Sequence, residues 1–171
     1  YICFAAVPMI VSLILSFTNY SVARPFKFVG LHNYIRLFSG EDSFFYQAIK
    51  VTIYLTILNV PACILISLLL ALLLNNKIRG WKTLRVVYYL PTVIPQVATS
   101  VIWMWIMSPD FGILNYVLKL AGLPTSQWLF GEKTVIPSFV IIAVWTSGNI
   151  MTVFLAGIQD VPRSLYEAMD I

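Results

Sequence analysis

Residues 51–74 read VTIYLTILNVPACILISLLLALLL, an unbroken apolar run without a single charged side chain. A helix crossing a bilayer needs about 20 predominantly apolar residues at 1.5 Å rise each, and this run is long enough. It lacks the every-second-residue alternation of a membrane β-strand. Backbone amides in hydrocarbon have no water to bond and must be satisfied within their own segment, so a helix follows. Asn75-Asn76 is the expected stop.

Working outward, three more stretches carry no charge: 1–17, 86–107 and 135–157. They predict spans over Ile2–Phe17, Val86–Met107 and Val135–Gly157, beside Val51–Leu74. The 171 residues are 60% hydrophobic and 11% charged, against about 25% charged in soluble domains. That balance excludes an ordinary soluble domain. The fold class expected is all-α: a polytopic membrane helix bundle. Residue 1 is Tyr, and the first run opens without a flanking charge, so the chain is expected to begin inside or just before a membrane helix. A basic start and a small-residue cleavage site, the marks of a signal peptide, are both missing from Tyr1–Phe17.

A net charge of +4 raises nucleic acid as a partner, but that needs a basic stripe interleaved with aromatics. The one dense basic run is Lys77, Arg79, Lys82 and Arg85, between two spans. Cys3 and Cys63 lie in apolar runs without metal spacing, and His32 is the only histidine. No metal site is expected. By density of basic residues, 75–85 and 158–171 are the cytoplasmic segments, opposite the sparser Arg24, Lys27, Arg36, Lys50, Lys119 and Lys133. Trp81, Tyr88 and Tyr89 at one face, and Trp103 and Trp105 at the other, suit interfacial aromatic belts.

Every span contains proline: Pro8, Pro61, Pro91 with Pro95, and Pro137. Proline removes a backbone bond and kinks a helix; it fits either broken helices around a pathway or the ordinary proline of membrane helices. Polar residues also occur at membrane depth: Asn59, Gln96, Thr99, Ser100, Thr146, Ser147, Asn149 and Thr152. Trp145 and Asn149 share a helix face at i, i+4, and so do Thr146 and Asn149 at i, i+3. Asn59, Gln96, Trp145, Thr146 and Asn149 form a candidate solute pathway. The alternative is hydrogen-bonded glue between helices, and the sequence leaves both open.

No Asp, Glu, Lys or Arg occupies a span interior, which argues against a proton-driven pump. No HExxH, GxSxG or P-loop pattern is present, so no catalytic residue is expected. The tail Ile158–Ile171 carries Pro162 at a helix start, a capping-box Ser164-x-x-Glu167 and an apolar stripe of Val161, Leu165 and Met169. A short amphipathic helix just outside the membrane suits a groove on a partner.

This tail, with Glu167-Ala168-Met169, resembles the E-A-A-x-x-x-G coupling motif of the permease subunits of binding-protein-dependent ABC importers. The lead-in Ala156-Gly157-Ile158-Gln159, Val161-Pro162 and Leu165-Tyr166 is similar to the carbohydrate-uptake branch. So are Phe28–Tyr34, Leu90-Pro91 through Pro95, and Pro109–Asn115. Met169 stands where the motif has its second alanine. The resemblance implies one transmembrane domain over 1–171, holding four spans of a six-helix core and the start of a cytoplasmic coupling helix. It implies alternating access for a sugar or sugar-like solute, in the cell membrane. It also implies a second permease or a homodimer, two ATPase subunits and an external solute-binding protein as partners, with ATP and Mg bound by the ATPases and no cofactor on this chain. Gly157, Pro162, Leu165, Tyr166, Glu167, Ala168 and Met169 would contact the ATPase. A self-contained channel or ion-coupled carrier is the alternative.

Overall fold

The computed structural model describes residues 2–21, 27–76 and 79–162. Leu165, Tyr166, Glu167, Ala168 and Met169 fall outside them, as do Arg24, Pro25 and Lys77. Among the described residues the chain is helical, with one isolated antiparallel bridge between Thr18 and Phe28. It divides into residues 1–53 and 54–171.

In the first unit a π-helical turn, Ile2–Ala6, leads into α1, Val7–Leu15. Pro8 lies in the first turn of α1, at its junction with the π-helical turn. The apolar helix here, Cys3–Leu15, is shorter than a full crossing. α2, His32–Phe38, ties down the end of α1. Asn33 Nδ2 donates to the carbonyls of Ser16 (2.9 Å) and Thr18 (2.8 Å), and the Tyr34 and Ser16 hydroxyls lie 2.6 Å apart.

α3, Ser43–Asn75, starts eight residues before the expected span. Asp42 explains the early start: its Oδ1 accepts from the N–H groups of Phe44 (3.0 Å) and Phe45 (3.4 Å), capping the first turn. Pro61 sits inside α3 without ending it. At 33 residues, α3 is the one helix among the described residues long and apolar enough to cross a membrane unaided.

The expected single span over Val86–Met107 is instead two helices. α4, Trp81–Tyr89, runs into a 3₁₀ turn, Leu90–Val93, and α5, Gln96–Ile106, leaves at 101°. The cause lies at Ile94, which precedes Pro95 and is extended (φ −71°, ψ 132°); clash with the proline ring drives the preceding residue out of the helical region. The span over Val135–Gly157 is likewise α7, Val135–Trp145, and α8, Gly148–Gln159, bent by 48°. If each bent pair is one span, the described residues hold three.

The predicted loop 108–134 contains α6, Ile113–Leu120, and a 3₁₀ turn, Trp128–Phe130. Asn115 organises it. Its Nδ2 donates to the carbonyls of Pro109 (3.0 Å) and Ser126 (2.9 Å), while its Oδ1 accepts from Ser126 N–H (3.0 Å) and Trp128 Nε1 (2.8 Å).

The second unit's core is Ala71 and Leu74 of α3 against Met151 and Leu155 of α8, with Trp81 and Leu84 of α4 packed on it. Large apolar side chains such as Ile57, Leu65 and Leu69 of α3 remain exposed, as expected where the surrounding medium is lipid or another apolar helix.

Candidate functional site

The two helix breaks face one cavity of about 610 Å³, within the size of small-molecule sites. Gln96, Thr99 and Ser100 come from α5, spaced so that they share a face. Thr146 comes from the α7–α8 break, Asn149 from the first turn of α8, and Thr92 from the 3₁₀ turn. Met104, Phe130, Phe139 and Ile142 supply apolar wall. No charged residue lines it among the described residues.

Three of the four hydroxyl groups on this wall have their protons engaged. Thr92 Oγ1 donates to Tyr89 O (2.7 Å), Ser100 Oγ to Gln96 O (2.9 Å), and Thr146 Oγ1 to Ile142 O and Ala143 O (both 3.1 Å). Their free lone pairs remain as acceptors. The Asn149 oxygen accepts from Ile150 N–H (2.8 Å), leaving its NH₂ as donor; the Gln96 amide offers both.

The breaks themselves are held by small residues. Thr146 and Ser147 Oγ, the latter donating to Val144 O at 2.7 Å, cover the last carbonyls of α7. Gly148 then opens α8 directly against α4: a Cβ there would overlap the Tyr88 carbonyl oxygen. Only a glycine lets the two backbones meet this closely. Ser67 of α3, fully buried, donates to Ser147 Oγ (3.1 Å) and Ser147 O (3.3 Å).

Of the five pathway residues read from the sequence, Gln96, Thr146 and Asn149 meet at the cavity. Trp145 packs edge-on against Trp103, with centroids 5.6 Å apart and an interplanar angle of 80°, and is not on the wall. Asn59 stays on α3, its Oδ1 3.6 Å from Cys63 Sγ. The polar cluster of the fourth span thus divides: Thr146 and Asn149 face the cavity, while Ser147 is glue. Ser67, its partner, carried no signal beyond being a lone hydroxyl in a leucine-rich run. Of the expected coupling residues, Gly157 lies in α8 and Pro162 closes the described chain.

No protein-family model matches the chain. It is 32% identical over its whole length to the probable ABC transporter permease protein YesP of Bacillus subtilis, spanning 55% of that protein. Over 82% of its length it is 31% identical to the trehalose/maltose transport system permease protein MalF of Thermococcus litoralis, covering 48% of it. In structure, 99% of the chain superposes with TM-score 0.81 and 26% identity on 57% of a chain from a bacterial ABC transporter that imports the acidic polysaccharide alginate. The chain belongs to the permease subunits of ABC transporters. It spans about half the length of the curated relatives it matches.

Proposed function

We propose that this chain is the membrane-spanning part of an ATP-driven importer, passing a sugar or sugar-like solute by alternating access. The observation that carries the reading is the cavity between two broken helices, which gathers Gln96, Thr146 and Asn149 without a charge among them. Carbohydrate groups need such neutral donors and acceptors beside apolar wall. The permease relatives favour this over a self-contained channel or ion-coupled carrier.

In this reading a second permease, or a second copy of this one, completes the pathway. An external binding protein delivers the solute; a related alginate importer has been solved with a periplasmic binding protein in complex. Two ATPase subunits bind ATP and Mg and hydrolyse the nucleotide. They dock on the segment around Gly157, Pro162, Leu165, Tyr166, Glu167, Ala168 and Met169. The subunit resides in the cell membrane with 75–85 and 158–171 on the cytoplasmic side. Four Lys/Arg between 75 and 85 support that orientation, and the packing of Trp81, Leu84 and Ile158 on the core that includes Leu155 is consistent with one side for residues 81–84 and 155–158.

The test is Glu167→Lys in the full-length subunit, reconstituted with its partners in vesicles. Solute-stimulated ATP hydrolysis should be lost with membrane insertion intact. Stimulation equal to wild type would overturn the coupling role.

A further inference from the structure

We infer that the cavity selects uncharged, hydroxyl-rich solutes and excludes carboxylated ones; this rests on the pathway reading above and specifies what that pathway carries. Thr92, Ser100 and Thr146 have spent their hydroxyl protons on backbone carbonyls, so toward the cavity they offer acceptors. A sugar hydroxyl can donate to each of them. A carboxylate is acceptor-only and meets lone pair against lone pair.

The donors left on the wall are the amide groups of Gln96 and Asn149 and the Thr99 hydroxyl, none of them cationic. The nearest charges in sequence, Glu132 and Lys133, are exposed, of opposite sign, and not on the wall. An ion taken out of water without a partner is penalised by several kcal/mol, whereas a neutral hydroxyl needs only one hydrogen bond. Met104, Phe130 and Phe139 supply the apolar surface that the C–H faces of a sugar ring would cover. The alginate importer that the chain superposes on therefore carries a solute of the kind this wall disfavours.

The test needs no knowledge of the natural solute. The full-length permease, with Cys3 and Cys63 replaced by serine and Thr146→Cys introduced, is assembled with cysteine-free partners in vesicles and cycled with ATP. Its thiol is treated with uncharged hydroxyethyl methanethiosulfonate or with anionic sulfonatoethyl methanethiosulfonate, and each rate is divided by that reagent's rate with a free thiol. The anionic reagent should be at least about tenfold slower, a difference of about 1.4 kcal/mol, and Gln96→Lys in the same background should bring it level with the uncharged one. Equal rates without Gln96→Lys would overturn the selectivity, as would a slow anionic rate that the added lysine leaves unchanged, since size would then be the cause. If neither reagent reaches Cys at position 146, nor at Asn149→Cys, the pathway reading fails instead.

Discussion

Ser67, in the last third of α3, donates to both the hydroxyl and the carbonyl of Ser147 at the α7–α8 break. The bond spans eighty positions of sequence and fastens the break to the longest helix. Ser147 is otherwise satisfied: its Oγ reaches Val144 O, and its carbonyl accepts from Ile150 and Met151. Ser67→Ala should therefore leave no orphaned group and cost only about 0.6 kcal/mol, the average for such bonds in membranes. Ser67→Val should cost about 1–3 kcal/mol, because the site is fully buried and overpacking forces its neighbours apart. Melting temperatures of the purified permease in detergent separate the two; equal losses would contradict the account.

Gly148 and Gly157 both lie in α8 and should respond oppositely to alanine. At Gly148 the new methyl would meet the Tyr88 carbonyl, whereas no atom of the described residues lies within 4 Å of the corresponding position at Gly157. Gly148→Ala should lower stability by about 1–3 kcal/mol. Gly157→Ala should be neutral or stabilising by up to about 1 kcal/mol, since glycine is the poorer helix former. Thermal unfolding followed by circular dichroism gives both signs.

Asn115→Ala removes four hydrogen bonds at once and strands Trp128 Nε1 and Ser126 N–H. Ser126 and Trp128 are half-buried, so each stranded group costs toward the low end of about 1–3 kcal/mol, and a loss of about 2 kcal/mol is expected. Asn115→Asp keeps the acceptor but turns a carboxylate toward two carbonyls, and should not rescue. Recovery of wild-type melting by Asn115→Asp would show that the donor half of this hub is dispensable.

Trp103 Nε1 is buried without a partner among the described residues. Trp103→Phe keeps an aromatic ring against Trp145 and forfeits no hydrogen bond, so its cost should stay below about 1.5 kcal/mol. Trp145→Ala removes the edge contact of a residue that is itself exposed, for about 1 kcal/mol. Because Trp145 braces α5 rather than lining the cavity, its truncation should reduce assembled permease at least as much as it reduces transport per molecule. Reduced transport with full assembly would return Trp145 to the pathway.

What could be read from sequence was set by length and charge. The run Val51–Leu74 is long and charge-free, so its helix was legible; its true start was not, because the Asp42 cap is a local bond followed by mixed aromatic residues. Thr146, Ser147 and Gly148 were visible as polar and small residues in an apolar run. Whether such residues face a cavity or another helix depends on neighbours eighty positions away, and Ser67 alone settles it for Ser147. α6 went unread because its eight residues are held by Asn115 rather than by a cap of their own. The bend at Ile94 was written in the pair Pro91 and Pro95 as a kink; its size, 101°, comes with the extended Ile94 that breaks the helix outright.

The seating of Gly148 on the Tyr88 carbonyl has a mechanical consequence. α8 contacts both α4 and the 3₁₀ turn that follows it, and that turn carries Pro91 and Thr92 of the cavity wall. With no side chain between the backbones to act as a cushion, α8 has no slack in which to slide past α4. A push along α8 from residues 160–162 would be delivered to the wall as to the short arm of a lever, with the glycine as its bearing.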